Sequence, residues 1–207
     1  VVQALGAQGI EVPAKDWGHD LERMLDGVNK KTKIVFIANP NNPTGTFLER
    51  NEIIRFLEKI PSEVIVLLDQ AYFDYSNYEM EDVPFSLVNN FPNLIISRTF
   101  SKAYGLGGLR IGYGFAHDQL ISNLMKVKLP FEPSSLAQAA GLAALEDNYH
   151  IEKTVQLTQD GIEYFSRELR RLEVNTIPSA ANFITTKFSS EKKAGDICQQ
   201  MLEEGVI

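Results

Sequence analysis

The sequence predicts an α/β protein with a mostly parallel sheet covered by helices. Short runs rich in valine, isoleucine and leucine show no polar alternation, which indicates strands buried on both faces. Between several of these runs, apolar residues recur at helical spacing. This alternation is typical of a parallel sheet, and 207 residues are enough for one or two domains with a substantial core.

The first half of the chain supplies the strands of this sheet. A buried run at 33–38 leads into a turn rich in Asn, Pro and Gly, and a helical pattern follows at 49–60 until Pro61. A later acidic stretch, which contains Glu79, Glu81 and Asp82, indicates a solvated loop. Three further strands are predicted at 64–68, 93–97 and 109–115.

The second half of the chain has a different rhythm. Helical patterns at 134–146 and 151–172 precede short strands at 174–177 and 183–188, and a final helix is predicted near 192–204. This change predicts a second, smaller α+β domain that begins within the long helical pattern.

We assign residues 1–155 to a large domain that lacks its N-terminal part. Residues 156–207 form the truncated start of a small C-terminal domain in this assignment. The stretch 1–9 has the pattern of a helix tail that ends at Gly and contains no Met, and 201–207 has that of a helix end followed by two strand residues. We therefore expect an internal fragment of a longer protein.

Composition narrows the possible functions. The net charge of −7 argues against nucleic-acid binding, which usually requires a basic face. Cys198 is the single cysteine, so neither an intrachain disulfide nor a cysteine-based metal cluster is possible. The three histidines lack metal-ligand spacing. Because no run has membrane-spanning length and no signal pattern occurs, a cytoplasmic protein without a metal or a membrane partner is predicted.

The stretch RTFSKAYGLGGLR is the most informative in the chain. It places Lys102 among small hydroxyl residues and glycines, with Arg110 eight positions later. An amine that reacts with an aldehyde needs little crowding, and a phosphate beside it needs hydroxyls and a bidentate guanidinium. A pyridoxal phosphate (PLP) enzyme needs these groups together. Thr99, Ser101 and Arg110 can converge on one phosphate if the chain loops back; alternatively, the hydroxyls cap a turn and the glycines only shape a loop.

Two further candidate sites follow strands, where open α/β sheets bind their ligands. Asn42 either belongs to a plain turn or points its amide at a ligand oxygen, and the Asn42–Pro43 bond can be cis or trans. Asp69 either caps the next helix or pairs with a pyridinium nitrogen and keeps it protonated. Tyr72 either packs in the core or donates to the cofactor's phenolic oxygen, with Ala71 against the ring.

In the order NPNNPTG, DQAY and RTFSKAYGLGGLRIGY, the chain resembles the fold-type I PLP-dependent aminotransferases. Within them it is most similar to the histidinol-phosphate aminotransferases, on the stretches GAQGIEVPAKDWGHDLERML, IVFIANPNNPTGTF and ANFITTKF. The resemblance covers essentially the whole chain. It implies the fold of type I PLP-dependent transferases, with pyridoxal 5'-phosphate as the cofactor.

The resemblance also implies roles for individual residues. Lys102 forms the Schiff base with the cofactor, and Asp69 pairs with its pyridine nitrogen. Asn42 and Tyr72 bond its phenolic oxygen, and Ala71 lies against the ring. The cofactor phosphate is held by Thr99, Ser101 and Arg110.

The implied reaction is transamination between a small amino donor and a 2-oxo acid, here histidinol phosphate and 2-oxoglutarate, by a homodimer. The family usually has Glu where Gln70 stands, a position not expected to touch the ring. The family's glycine-led phosphate turn, ring-stacking aromatic residue, partner-subunit tyrosine and C-terminal arginine are not in this chain. We therefore expect that these 207 residues alone do not catalyse turnover.

Other functions share these motifs. An aromatic-amino-acid aminotransferase or a threonine-phosphate decarboxylase would show the same core, and PLP-dependent β-elimination at sulfur uses the same scaffold. Outside catalysis, the chain could belong to the ligand-sensing domain of a transcriptional regulator, which predicts a DNA-binding domain upstream.

Overall fold

The computed structural model describes residues 2–76 and 83–206, so the loop expected at Glu79, Glu81 and Asp82 lies outside the described residues. A four-stranded sheet holds its strands in the order in which they occur in the sequence. Its first three strands run parallel, and the fourth runs antiparallel to the third. The mostly parallel α/β sheet is therefore confirmed. Its strands are β1 (Ile34–Ala38), β2 (Ile65–Asp69), β3 (Leu94–Thr99) and β4 (Gly112–Ala116).

Helices connect and follow these strands. The helical pattern at 49–60 is confirmed as a helix whose start is stabilised by the Glu52 carboxylate, which accepts a hydrogen bond from the backbone N–H of Glu49 at 2.8 Å. The second and fourth strands are followed by two helices that the sequence patterns above did not predict, α3 and α4. The described helices are α1 (Leu21–Asp26), α2 (Arg50–Lys59), α3 (Val83–Asn90), α4 (Asp118–Val127), α5 (Ser135–Glu146), α6 (Asn148–Arg171) and α7 (Glu191–Glu203).

One face of the sheet carries the main hydrophobic core. Alternate residues of the three parallel strands point to this face and pack against α2 and α3. Each such side chain contributes about 1.5–3 kcal/mol on burial, so this contact holds the strand ends in fixed register. The buried residues are Val35, Ile37, Val66, Leu68, Leu94 and Ile96 from the strands, with Ile53, Phe56, Leu57, Leu87 and Val88 from the helices.

The expectation that the strands are buried on both faces is wrong for β1. Ile34 and Phe36 are 46% and 54% exposed, whereas Val35 and Ile37 are buried. Successive side chains of a strand point to opposite faces. Because α2 and α3 pack against the face that bears Val35 and Ile37, the other face of β1 remains open among the described residues.

The fourth strand begins later than expected. Residues Gly107–Leu109 form a 3-10 turn, and Arg110 adopts a left-handed conformation with φ of 52°. A strand requires a negative φ, so pairing with β3 begins only at Gly112. The predicted span 109–115 was therefore wrong at its start.

A second sheet follows α6. It consists of two antiparallel strands, β5 (Asn175–Ile177) and β6 (Thr185–Lys187). Helix α6 continues through residue 155, so the division into two domains at that point stays a prediction. None of the helices in the described ranges is long and apolar enough to cross a membrane.

Candidate active site

The three candidate segments meet at one edge of the sheet. In the parallel register, Ala38 of β1 pairs with Asp69 of β2, and Asp69 pairs with Ser97 of β3. The strands therefore end at similar heights, and the segments that follow them share one side of the molecule. Open α/β sheets bind ligands at this carboxyl edge.

The turn after β1 is held from both ends. The buried Asn39 side chain donates to the carbonyl of Leu48 at 2.9 Å and accepts from the Leu48 N–H at 2.8 Å. Between Asn39 and Leu48, the Asn42–Pro43 bond is cis, whereas the sequence allowed either the cis or the trans form. The exposed Asn42 donates its amide to the hydroxyl of Tyr72 at 3.1 Å.

Gly45 allows this turn to approach the C-terminal part of the chain. Its φ is +78°, a region that favours glycine. A Cβ at this position would lie 2.2 Å from Oγ of Ser179, and the carbonyl of Gly45 accepts from the N–H of Ala180 at 2.8 Å. No other residue type fits this contact without moving one of the two segments.

The segment after β2 presents a carboxylate and a phenol. Asp69 is exposed at the end of its strand, and its Oδ1 accepts from the N–H of Ala71 at 3.0 Å. This is a local turn bond that uses one carboxylate oxygen; the 3-10 helix that follows at Phe73–Tyr75 has Tyr72 as its N-cap and no side-chain cap bond, so Asp69 does not cap it. Tyr72 is buried, and Phe183 meets its ring edge-on at a centroid distance of 5.1 Å.

The segment after β3 brings an amine to the same place. Lys102 is exposed, and its Nζ lies 5.2 Å from the centre of the Tyr72 ring. The hydroxyl of Thr99 accepts from the N–H of Ser101 at 3.1 Å. The structure thus brings Lys102, Tyr72 and Asn42 together through direct contacts, and Asp69 stands at the start of the turn that carries Tyr72.

The chain after Lys102 loops back, as convergence on one phosphate requires. The N–H of Leu106 donates to the carbonyl of Phe100 at 2.9 Å. A Cβ at Gly107 would lie 3.4 Å from the carbonyl oxygen of Ser101. Nη1 of Arg110 donates to the carbonyl of Gly107 at 2.7 Å. The guanidinium and the Ser101 segment therefore both lie next to Gly107, and the left-handed Arg110 is the kind of backbone outlier that concentrates at functional sites.

The C-terminal part of the chain contributes contacts that the spacing of motifs did not predict. Phe183 packs on Tyr72, and the amide of Asn182 donates to the hydroxyl of Tyr75 at 3.5 Å. The hydroxyl of Thr185 donates to the carbonyl of Pro43. These residues lie within the stretch ANFITTKF, whose family resemblance was the one available signal for them.

A partly buried charge lies beneath the site. Nε of Arg98 donates to Oε1 of Gln70 at 3.1 Å, and its guanidinium carbon lies 4.4 Å from the centre of the Phe73 ring. Burial raises the pKa of Asp74, and the charge of Arg98 opposes that rise. Burial likewise raises the pKa of Tyr104.

An open cleft of about 680 Å³ lies elsewhere on the molecule. It is formed by the segment around Trp17 and His19, by α2 and by residues of the second sheet, including Lys187. None of the eight candidate residues lines this cleft. The candidate site is instead the open carboxyl edge of the sheet.

The donor set at this edge fits PLP. An exposed amine, a carboxylate at a strand end, and a bonded amide–phenol pair match an aldehyde, a pyridine nitrogen and a phenolic oxygen. The hydroxyls of Thr99 and Ser101 and the guanidinium of Arg110 match a phosphate. Ser101 and Arg110 both lie next to Gly107, so two of these groups belong to one loop.

Comparison with known proteins places the chain among proteins of this chemistry. The family described as aminotransferase class I and II matches residues 1–207. Histidinol-phosphate aminotransferase 1 of Nitrosococcus oceani is 45% identical over 208 residues, which cover 100% of this chain and 55% of that protein. The chain thus spans about half the length of the curated relatives it matches.

Solved structures agree with the fold. The crystal structure of histidinol-phosphate aminotransferase from Sinorhizobium meliloti in complex with pyridoxal-5'-phosphate superposes with a TM-score of 0.91 at 28% identity, covering 100% of this chain and 56% of that one. The L-threonine-O-3-phosphate decarboxylase from Porphyromonas gingivalis gives a TM-score of 0.70 at 28% identity, covering 86% of this chain and 55% of that one. The expected fold type is therefore confirmed.

Proposed function

Because the chain belongs to the aminotransferase class I and II family, we propose that the protein is a PLP-dependent aminotransferase. Its proposed reaction interconverts histidinol phosphate and 2-oxoglutarate with imidazole-acetol phosphate and glutamate, a step of histidine biosynthesis. In the biosynthetic direction, glutamate donates the amino group. One observation carries the proposal: Nζ of Lys102 lies 5.2 Å from the ring of Tyr72, whose hydroxyl is bonded to Asn42.

PLP, when bound, supplies a protonated ring that stores the electrons released at the substrate's Cα. Lys102 would hold the cofactor covalently, and Asp69 would pair with its ring nitrogen. Asn42 and Tyr72 would bond its phenolic oxygen, and Ala71 would lie against the ring face. The phosphate would be held by Thr99, Ser101 and Arg110.

Lys102 has a second task in this proposal. As a free amine, it would remove the proton from the Cα of the amino donor. The loop that bears Lys102 is closed by backbone bonds such as Gly105 N–H to the Lys102 carbonyl at 2.9 Å. A base on a fixed loop stays within reach of the carbon that it deprotonates.

Asp69 and Tyr72 set the charges around that step. The Asp69 carboxylate, opposite a protonated ring nitrogen, favours the charged form of that nitrogen. The Tyr72 hydroxyl accepts from Asn42, which leaves its own proton for a phenolic oxygen. Both groups act only by position and charge, and neither is consumed.

We further propose that the protein acts as a homodimer, as the family resemblance implies and as the prevalence of twofold assemblies favours. The division into a large domain over 1–155 and a small domain over 156–207 belongs to the same proposal. The separate β5–β6 sheet supports it.

A decarboxylase that acts on a phosphorylated amino acid is the second candidate. The similarity to the Porphyromonas gingivalis decarboxylase, at the same 28% identity as the Sinorhizobium aminotransferase, favours keeping it. The TM-score of 0.70 against 0.91 favours the aminotransferase. An aromatic-amino-acid aminotransferase shares the same motifs and differs from the proposed enzyme in the amino donor that it uses.

The test is the absorbance of the full-length, PLP-loaded protein with different donors added separately. Bleaching of the yellow cofactor band by histidinol phosphate and by glutamate, with little effect of phenylalanine, supports the proposal. Strong bleaching by phenylalanine moves the assignment to the aromatic enzymes. Bound PLP that no donor bleaches, together with carbon dioxide release from threonine phosphate, favours the decarboxylase.

A further inference from the structure

We propose that Arg98 is a positioning residue that joins the turn carrying Asp69 and Tyr72 to the loop carrying Lys102. This inference rests on the proposed function, because the three residues that it concerns are those assigned there to the cofactor. In this proposal, Arg98 does not touch the cofactor and acts through its neighbours.

On one side, Arg98 holds the turn after β2 by two different contacts. Its Nε–H donates to the side-chain oxygen of Gln70 at 3.1 Å. Its guanidinium lies 4.4 Å from the centre of the Phe73 ring, within the range of a cation–π interaction. Gln70 and Phe73 are each only 3% exposed. These two buried residues flank the segment that contains Tyr72. The contacts of Arg98 with them therefore limit where the Tyr72 hydroxyl can lie.

On the other side, Arg98 belongs to the element that carries Lys102. It lies in β3, pairs in register with Tyr113 of β4, and precedes Lys102 by four residues. Phe100, between them, packs against Tyr104 and Tyr113 with centroid distances of 5.0 and 5.2 Å. The charge of Arg98 also acts on both Asp74 and Tyr104, one in each segment. Arg98 is thus connected to the Lys102 loop through β3 and the packing of Phe100, and to the other turn through its guanidinium.

The residue at position 70 determines how the charge of Arg98 is balanced. The family resemblance implies Glu at this position, which would pair with Arg98 as an ion. Gln70 supplies a neutral oxygen instead, so Asp74 is the carboxylate whose charge interacts with Arg98. Arginine suits this place because one planar group both donates to Gln70 and stacks on Phe73. Lysine, a point charge on a flexible stem, cannot make both contacts in the same geometry.

The test compares Arg98→Lys, Arg98→Met and Gln70→Met, and the Arg98→Met/Gln70→Met double variant, in the full-length protein. Three quantities are measured: the dissociation constant of PLP by absorbance titration, kcat and KM with the donor that the wild type uses, and Tm. Leu57→Ala is the control, because Leu57 of α2 is buried in the main hydrophobic core, a cluster that does not include Arg98, Gln70 or Phe73.

We expect Arg98→Met to weaken PLP binding by about tenfold or more and to lower kcat with KM changed by less than about threefold, since small misplacements of reacting groups cost rate. Arg98→Lys should share most of this loss. The double variant should be little worse than Arg98→Met alone, because two side chains that act as a unit are not additive. Leu57→Ala should lower Tm and leave the PLP dissociation constant unchanged.

Two results overturn the inference. One is wild-type PLP affinity and kcat in both Arg98 variants; the other is a loss no greater than that of Leu57→Ala at equal loss of Tm. If Arg98→Met does not fold, Arg98→Lys carries the same comparison. If the wild-type protein binds no PLP at all, both the proposed function and this inference fail. Normal PLP binding by the Arg98 variants, in contrast, overturns only this inference.

Discussion

The amide of Asn42 donates a hydrogen bond to the hydroxyl of Tyr72 at 3.1 Å, and this bond joins the turn after β1 to the turn after β2. The two residues are 30 positions apart in sequence. Their contact depends on the parallel register that sets Ala38 opposite Asp69. Phe183 then fixes the tilt of the Tyr72 ring by meeting it edge-on.

Replacing Tyr72 with Phe should keep the ring and remove the hydroxyl that Asn42 bonds. The Phe183 contact survives, so we expect little change in Tm. We expect kcat to fall about tenfold, the equivalent of one hydrogen bond of about 1.4 kcal/mol. Steady-state kinetics of the full-length protein measures this. Tyr149→Phe is the matched control, because Tyr149 is 73% exposed on α6, and an equal loss in both variants would contradict the assignment.

Lys102→Ala should abolish turnover. The variant lacks both the group that holds the cofactor covalently and the base for the donor's Cα, so we expect a loss of about 10³-fold or more. Some PLP should remain bound, because Asp69 and Arg110 are still present. The matched control is Lys126→Ala, which removes an exposed amine bonded to Asn123 on α4. Turnover near the wild-type rate in Lys102→Ala would remove the assignment of this lysine.

Asp69→Asn should slow the reaction while leaving the fold intact. The amide oxygen can still accept from the N–H of Ala71, but the negative charge opposite the ring nitrogen is lost. We expect the barrier to rise by several kcal/mol, or about 10²–10³-fold in kcat. Kinetics at saturating PLP separates this effect from weakened cofactor binding. Asp26→Asn, at the end of α1, is the control, and a kcat of Asp69→Asn equal to that of this control would count against the proposed role.

Gly45→Ala should destabilise the protein. The substitution places a Cβ at a φ of +78° and against Ser179, so we expect a loss of about 2–4 kcal/mol in the free energy of unfolding. Urea denaturation of the full-length protein gives the value. Gly161→Ala is the matched control on α6, where no atom lies within 4 Å of the added Cβ. That variant should gain about 0.5–1 kcal/mol, and a similar effect of both substitutions would contradict the close approach at Gly45.

His19 should make stability depend on pH. Burial lowers its pKa below the ordinary value of 6.5, although its contact with the backbone of Ala38 opposes the shift. The unfolded chain therefore binds a proton at a higher pH than the folded one does. The contribution of neutral His19 is complete above pH 6.5 and is lost as pH falls from 6.5 through the lowered pKa.

The measurement is the free energy of unfolding of wild type and His19→Gln at a series of pH values on both sides of 6.5. The difference between the two proteins should shrink, or change sign, as the pH falls. Because carboxylates titrate equally in both proteins, the difference isolates His19. Parallel curves for the two proteins would show that His19 does not titrate differently on folding.

Much of the site was predictable from local patterns. The apolar runs marked the ends of β1, β2 and β3 to within two residues; Asp69 is the last residue of β2, and Asn42 and Lys102 follow the ends of β1 and β3. Once the strands were taken as parallel neighbours, these residues had to share one edge. The glycines after Lys102 indicated a loop, and the structure shows that this loop returns towards Ser101. Their chemical roles stay predictions that the variants above test.

The sequence by itself determined the strands, the α/β class and the chemical groups at the strand ends, because these depend on periodicity and on residue types a few positions apart. The tertiary structure decided that Phe36 is open while Ile37 is buried, that Arg110 turns left-handed before β4, and that Phe183 packs on Tyr72. Each of these depends on which surface another element covers or approaches. A pattern in a single segment does not show where residues distant in sequence will lie. Their positions are decided by how the elements pack.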